Sequence, residues 1–157
     1  MTERVVEAEA FVLKDPEGNE RGRFAVGPDG NPALTFREAS GASRMVIRLG
    51  ADGPEVGLLD EEGRGRLFLR LTEDGDAEIL FEDEDGPCLS AGDSGVSIHD
   101  RAGIVRIGIG LNEEGFPFLN LTDSAGQVRI GLAAGEDDSF VILFDEDGTP
   151  VDSLPRG

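Results

Sequence analysis

Leu58-Leu59-Asp60-Glu61-Glu62-Gly63-Arg64-Gly65-Arg66-Leu67-Phe68-Leu69-Arg70-Leu71 reads as strand, turn, strand. Apolar residues alternate on both sides of an Asp-x-x-Gly core. A period of two with tight Gly punctuation is a strand signal, since a helix would repeat every three to four residues. Asp at the start of a type I turn and Gly at its end are the residues that geometry prefers.

The same pattern recurs along the whole chain. The turn acids are Asp15, Glu38, Asp60, Asp83, Asp100, Asp123 and Asp145, each followed three positions later by Gly18, Gly41, Gly63, Gly86, Gly103, Gly126 or Gly148. Their spacing is about 22 residues, except for the shorter interval from Asp83 to Asp100. Four residues before each acid stand Phe11, Leu34, Val56, Ile79, Val96, Leu119 and Val141. Two residues before it stand Leu13, Phe36, Leu58, Phe81, Ile98, Leu121 and Leu143. Both columns are wholly apolar. A fixed period of this size marks a repeat architecture. The expected fold is all-β: an antiparallel meander of about seven β-hairpin repeats in a single domain over 1–157.

Side-chain phase makes the turns checkable, because a one-residue slip moves every apolar residue to the other face. A four-residue loop Asp60–Gly63 sets Val56 opposite Leu67 and Leu58 opposite Gly65. Three-residue second turns, such as Pro28-Asp29-Gly30, Glu73-Asp74-Gly75 and Glu113-Glu114-Gly115, pair Phe24 with Leu34, Leu69 with Ile79 and Ile109 with Leu119. A two-residue Asp52-Gly53 turn pairs Leu49 with Val56 and Ile47 with Leu58. The short repeat is a stunted hairpin turning near Asp93-Ser94-Gly95. These columns form the expected core, where Ile109→Ala should cost about 2–5 kcal/mol. The opposite face sets Val46 against Leu59, Phe68 against Leu80, Phe118 over Gly110 and Phe144 over Gly131. Arg21, Arg44, Arg66, Arg106 and Arg129 share the third position after their Gly. Cross-strand pairs Arg66–Glu82 and Arg44–Glu61 follow from this register.

The chain starts with a strand near Val6–Leu13 and ends with one at Thr149–Leu154. Pairing them would close the sheet as a flattened barrel or flower-like ring and remove both exposed edges. An open single-layer meander is the alternative. The stretches Leu58–Leu71, Leu121–Leu132 and Val6–Gly18 resemble a group of uncharacterised bacterial proteins built from hairpin repeats of about this length. The resemblance runs from about Val6 to Val151. It implies the hairpin architecture and no particular activity.

Composition narrows the function. With 33 Asp+Glu against 14 Lys+Arg the net charge is −19, which disfavours nucleic acid and anionic lipid as partners. No apolar run is long enough for a membrane span, and no signal peptide is evident, so no membrane insertion and a cytoplasmic location are expected. The single Cys rules out an intrachain disulfide. The acidic stretches Glu82–Gly86 and Asp145–Gly148 lack calcium-loop spacing and are expected to be solvated turns. Ser97, His99 and Asp100 are near in sequence, but alternation sends Asp100 away from the other two, so no catalytic set is expected. Cys88 suits a small buried hydrophobe. No cofactor and no metal is expected.

The sequence therefore points to a non-enzymatic structural or protein-interaction module. The alternative is binding of an apolar small molecule or lipid chain inside a wide ring. The candidate interaction face comprises Val46, Leu59, Phe68, Leu80, Phe118 and Phe144, serving self-association or another protein.

Overall fold

The computed structural model describes residues 5–50, 53–136 and 138–155. Among them all regular structure is β, in antiparallel strands that follow one another in chain order. The chain divides into two compact units, Met1–Ala77 and Glu78–Gly157.

The first unit contains β1 (Ala10–Lys14), β2 (Glu20–Val26), β3 (Pro32–Arg37), β4 (Ser43–Gly50), β5 (Gly53–Leu59) and β6 (Gly65–Leu71). The second contains β7 (Ala77–Glu82, all but its first residue), β8 (Pro87–Gly92), β9 (Gly95–His99), β10 (Val105–Leu111), β11 (Pro117–Thr122), β12 (Val128–Ala134), β13 (Ser139–Phe144) and β14 (Pro150–Leu154). Within each unit the strands touch only their hydrogen-bonded neighbours, so each sheet is a single layer among the described residues.

The acid turns carry the main correction to the expected register. Asp60 N–H donates to Arg64 O at 2.9 Å and Gly63 N–H to Asp60 O at 3.1 Å. The loop proper is therefore Glu61-Glu62-Gly63, with Gly63 at φ +81°, a region that costs other residues a Cβ clash. A three-residue loop alone would set Leu58 opposite Arg66 and flip the second strand. A β-bulge prevents this: Leu59 pairs with Gly65 and Leu58 with Leu67, leaving Arg66 as the extra residue. Loop plus bulge has the same parity as a four-residue loop. The expected phase is thus right, while the expected pairs Val56/Leu67 and Leu58/Gly65 are shifted by two residues; Val56 pairs with Leu69. The bulge recurs at Arg21, Arg44, Arg106 and Arg129.

The second turns behave as expected where Gly completes a three-residue loop. Phe24 pairs with Leu34 and Ile109 with Leu119. The shortened turn differs: Gly50 pairs with Gly53, so Gly53 belongs to β5, Leu49 faces Pro54 and Ile47 faces Val56. Asp52 lies outside the described residues. In the stunted hairpin Gly92 pairs with Gly95 around Asp93-Ser94. Asp138 O accepts the Gly135 N–H at 2.7 Å in the last of these turns; Asp137 is outside the described residues.

The expected ring is not formed. Among the described residues the sheet is not closed: β1 is bonded along one side, to β2, and β14 along one side, to β13. The open meander is the architecture. The strand expected from Val6 begins only at Ala10. The last strand is short, starts at Pro150, places Asp152 in the apolar column opposite Leu143, and is followed by Pro155. Missing donors and an inward carboxylate blunt an edge against pairing.

Candidate functional site: two unlike sheet faces

The turn acid organises one end of each repeat. Asp60 Oδ1 accepts the N–H groups of Glu62 at 3.1 Å and Arg64 at 2.9 Å, while Oδ2 accepts the Arg64 and Arg66 Nε–H groups, both at 2.9 Å. The bulge turns Arg66 back towards its own turn. Five repeats share this brace: Arg21–Asp15 at 2.6 Å, Arg44–Glu38 at 3.6 Å, Arg66–Asp60 at 2.8 Å, Arg106–Asp100 at 3.2 Å and Arg129–Asp123 at 2.6 Å. Arg106 Nε–H also donates to Thr122 O at 2.8 Å, tying one acid turn to the next.

Arg44 thus pairs with Glu38 in place of the expected Glu61, and Arg66, expected to face Glu82, braces its own Asp60. Strand alternation alone cannot see a bulge that redirects a side chain along its own hairpin. The signal for it was an acid and an Arg six residues apart in five of the seven repeats.

Partial burial raises the Asp60 pKa, but the Arg64 N–H and the Arg64 and Arg66 side chains outweigh it, holding the carboxyl at about 2. Asp15 and Asp100 are lowered in the same way against a raising effect of burial, Asp15 by Asn19 and Arg21, Asp100 by the Ile104 and Ala102 N–H groups and Arg106. The Gln127 N–H is the largest cause for Asp123, which is also lowered. These carboxylates stabilise turns by satisfying backbone donors, an Asx-type arrangement.

The face bearing the six candidate residues is sheltered. Leu80 is 4 % exposed, and Val46, Leu59, Phe68, Phe118 and Phe144 are half-buried. Val46 faces Gly57, not Leu59. Gly57 in turn pairs with Phe68, and a Cβ there would lie 3.2 Å from the Phe68 ring and 3.2 Å from Val46. Phe118 covers Gly110 as expected. Phe144 reaches Gly131 diagonally, because Gly131 pairs with Ile142. Charges on this face pair across strands, as in Arg48–Glu55 at 2.9 Å.

The opposite face is the expected core, and it is bare. Pairing places Phe24/Leu34/Ile47/Val56/Leu69 in one row of the first unit and Val96/Ile109/Leu119/Leu132/Val141 in one row of the second. Leu69 is 48 % exposed, Ile109 47 % and Ile79 40 %. Phase was predicted correctly, but burial was not, because a single-layer sheet supplies no second layer to cover its apolar face. Asp152 is the one charged residue that strand alternation places on this face among the described residues.

An open apolar groove of about 520 Å³ sits in the second unit. Phe118, Leu119, Leu132, Phe140, Val141 and Leu154 contribute to its wall, and Ser139 is its only polar residue.

The other candidates are structural in their contacts. His99 Nε2 lies 3.2 Å from Ser90 Oγ on the neighbouring strand. The Asp100 carboxylate is engaged by its own turn and by Arg106, so Ser97, His99 and Asp100 are not assembled. Cys88 is the bulge residue between β7 and β8, half-buried, with Sγ 3.4 Å from Phe81 O. Among the described residues no three His, Cys, Asp or Glu side chains gather as a metal site. Among the described residues there is no helix long and apolar enough to cross a membrane. No known protein family matches the chain, and no curated protein does.

Proposed function

We propose that the protein is a non-enzymatic interaction module that works through the bare apolar face of its hairpin-repeat sheets. The supporting observation is the segregation of residues: in each unit one face is apolar, and among the described residues every strand charge but Asp152 lies on the other. Extended, half-exposed apolar surfaces mark contact sites, and repeat proteins act through extended surfaces of this kind. The contact surface proposed is thus opposite Phe68 and Leu80, which serve the fold. A polarity-sensitive dye at submicromolar protein concentration tests it. Bright dye fluorescence is expected for wild type and is reduced by Ile47→Lys and Ile109→Lys with the circular dichroism of the sheet retained. A wild-type protein that leaves the dye dark overturns the proposal.

The groove at Phe118, Leu132 and Phe140 favours a second role, binding an apolar ligand on the open sheet. Its volume falls within the range of ligand sites, and its walls are apolar. A fluorescent fatty-acid analogue should bind wild type and lose affinity about tenfold or more in Leu132→Arg. Equal binding by both would remove this role.

A further inference from the structure

We infer that the occupant of the bare face is a second copy of this chain, the two faces stacking as the layers of a sandwich. This rests on the apolar face being a contact surface and names its partner.

Three features select the partner. First, the face is poor in charge: among the described residues strand alternation places only Asp152, on the last strand, there. Its rows run Phe24, Leu34, Ile47, Val56, Leu69 in one unit and Val96, Ile109, Leu119, Leu132, Val141 in the other. What complements a pleated surface so poor in charge is another one, and a second copy carries it by construction. Two such faces related by a twofold axis present the same rows to each other, and packed sheets interdigitate at a spacing of about 10 Å.

Second, the area suffices. At about 70–100 Å² of exposed area per half-exposed large apolar residue, the exposed apolar residues on this face of the first unit alone, from Phe11 to Leu71, approach the ~800 Å² per partner that a stable complex buries. Third, the charge predicts a sign. Each copy carries −19, and its acids gather in the turns at the strand ends, around the rim of the face. Two copies repel at low ionic strength, and salt relieves the repulsion while strengthening apolar burial. A basic foreign partner would show the opposite, since salt would weaken its attraction.

Sedimentation velocity of the whole chain from 1 to 100 µM, in 50 mM and 1 M NaCl, decides between them. The expected result is a monomer–dimer equilibrium whose Kd falls about tenfold or more in high salt. Ile47→Lys and Ile109→Lys should each raise that Kd at least tenfold, while Arg101→Ala, on an exposed turn, should leave it unchanged. A monomer at 100 µM in 1 M NaCl overturns the second copy as occupant. If that monomer still lights the dye, the contact face survives and its partner is foreign; if the dye stays dark, both fall. A dimer indifferent to both Lys substitutions, or one weakened by salt, also overturns the inference.

Discussion

The two faces of each sheet are made from the same alternating strands, yet they are stabilised in different ways. On one face Leu80 is buried, the Phe68, Phe118 and Phe144 rings lie beside glycines, and Arg side chains reach along their own hairpins. On the other, larger and more numerous aliphatic residues stand half-exposed. The difference shows that apolar content does not decide burial. A ring beside a glycine is sheltered by the sheet, whereas a row of aliphatic residues needs another layer.

The strongest way to break this comparison is to truncate the sheltered face. Leu80→Ala should cost about 2–4 kcal/mol in denaturant unfolding, as expected for loss of a buried side chain. A cost near zero would mean that this face stabilises nothing. Its counterpart on the bare face, Ile109→Ala, should cost only about 1 kcal/mol in dilute monomer, because about half of the residue is already in water. Repeating that measurement at high protein concentration sharpens the comparison. The cost should grow there if the face becomes covered, since association stabilises by mass action.

A turn substitution tests the braced end of the repeats. Gly63 sits at φ +81° with open space around its Cα, so Gly63→Ala meets backbone strain without a clash. About 1 kcal/mol of destabilisation is expected, strain being partly offset by the stiffer unfolded chain. An unchanged midpoint would place the turn elsewhere than at Asp60–Gly63.

The smallest effect is in pH. Asp60 is depressed from 3.8 to about 2 in the folded protein. A depressed carboxyl stabilises the fold above its unfolded pKa, and that contribution is lost as pH falls through the window from about 4 to about 2. Unfolding of Asp60→Asn should therefore be less dependent on pH in that window than wild type. Parallel acid limbs for the two proteins would contradict the role of Arg64 and Arg66 in holding the carboxylate.

Strand alternation was legible in the sequence down to its phase. Phe24/Leu34 and Ile109/Leu119 pair as expected, because Gly30 and Gly115 end three-residue loops whose parity leaves no choice. Register at the acid turns was not legible, since a four-residue loop and a three-residue loop with a bulge preserve the same phase. The candidate site was legible in part. Phe118 over Gly110 was anticipated, but the bare face was expected to be the core, and the brace from Arg66 to Asp60 was assigned to other partners.

What the sequence determined by itself is local and periodic: strands, turn positions and the sorting of side chains onto two faces. A period of two and the conformational demands of Gly need only near neighbours. Among the described residues, tertiary structure alone decided that the sheet stays open and that within the second unit no second layer covers the row from Leu119 to Val141. Those outcomes depend on how edges far apart in the chain compare in donors and charge, with Pro150, Asp152 and Pro155 blunting the last strand. A periodic pattern is the same whether its ends meet or not.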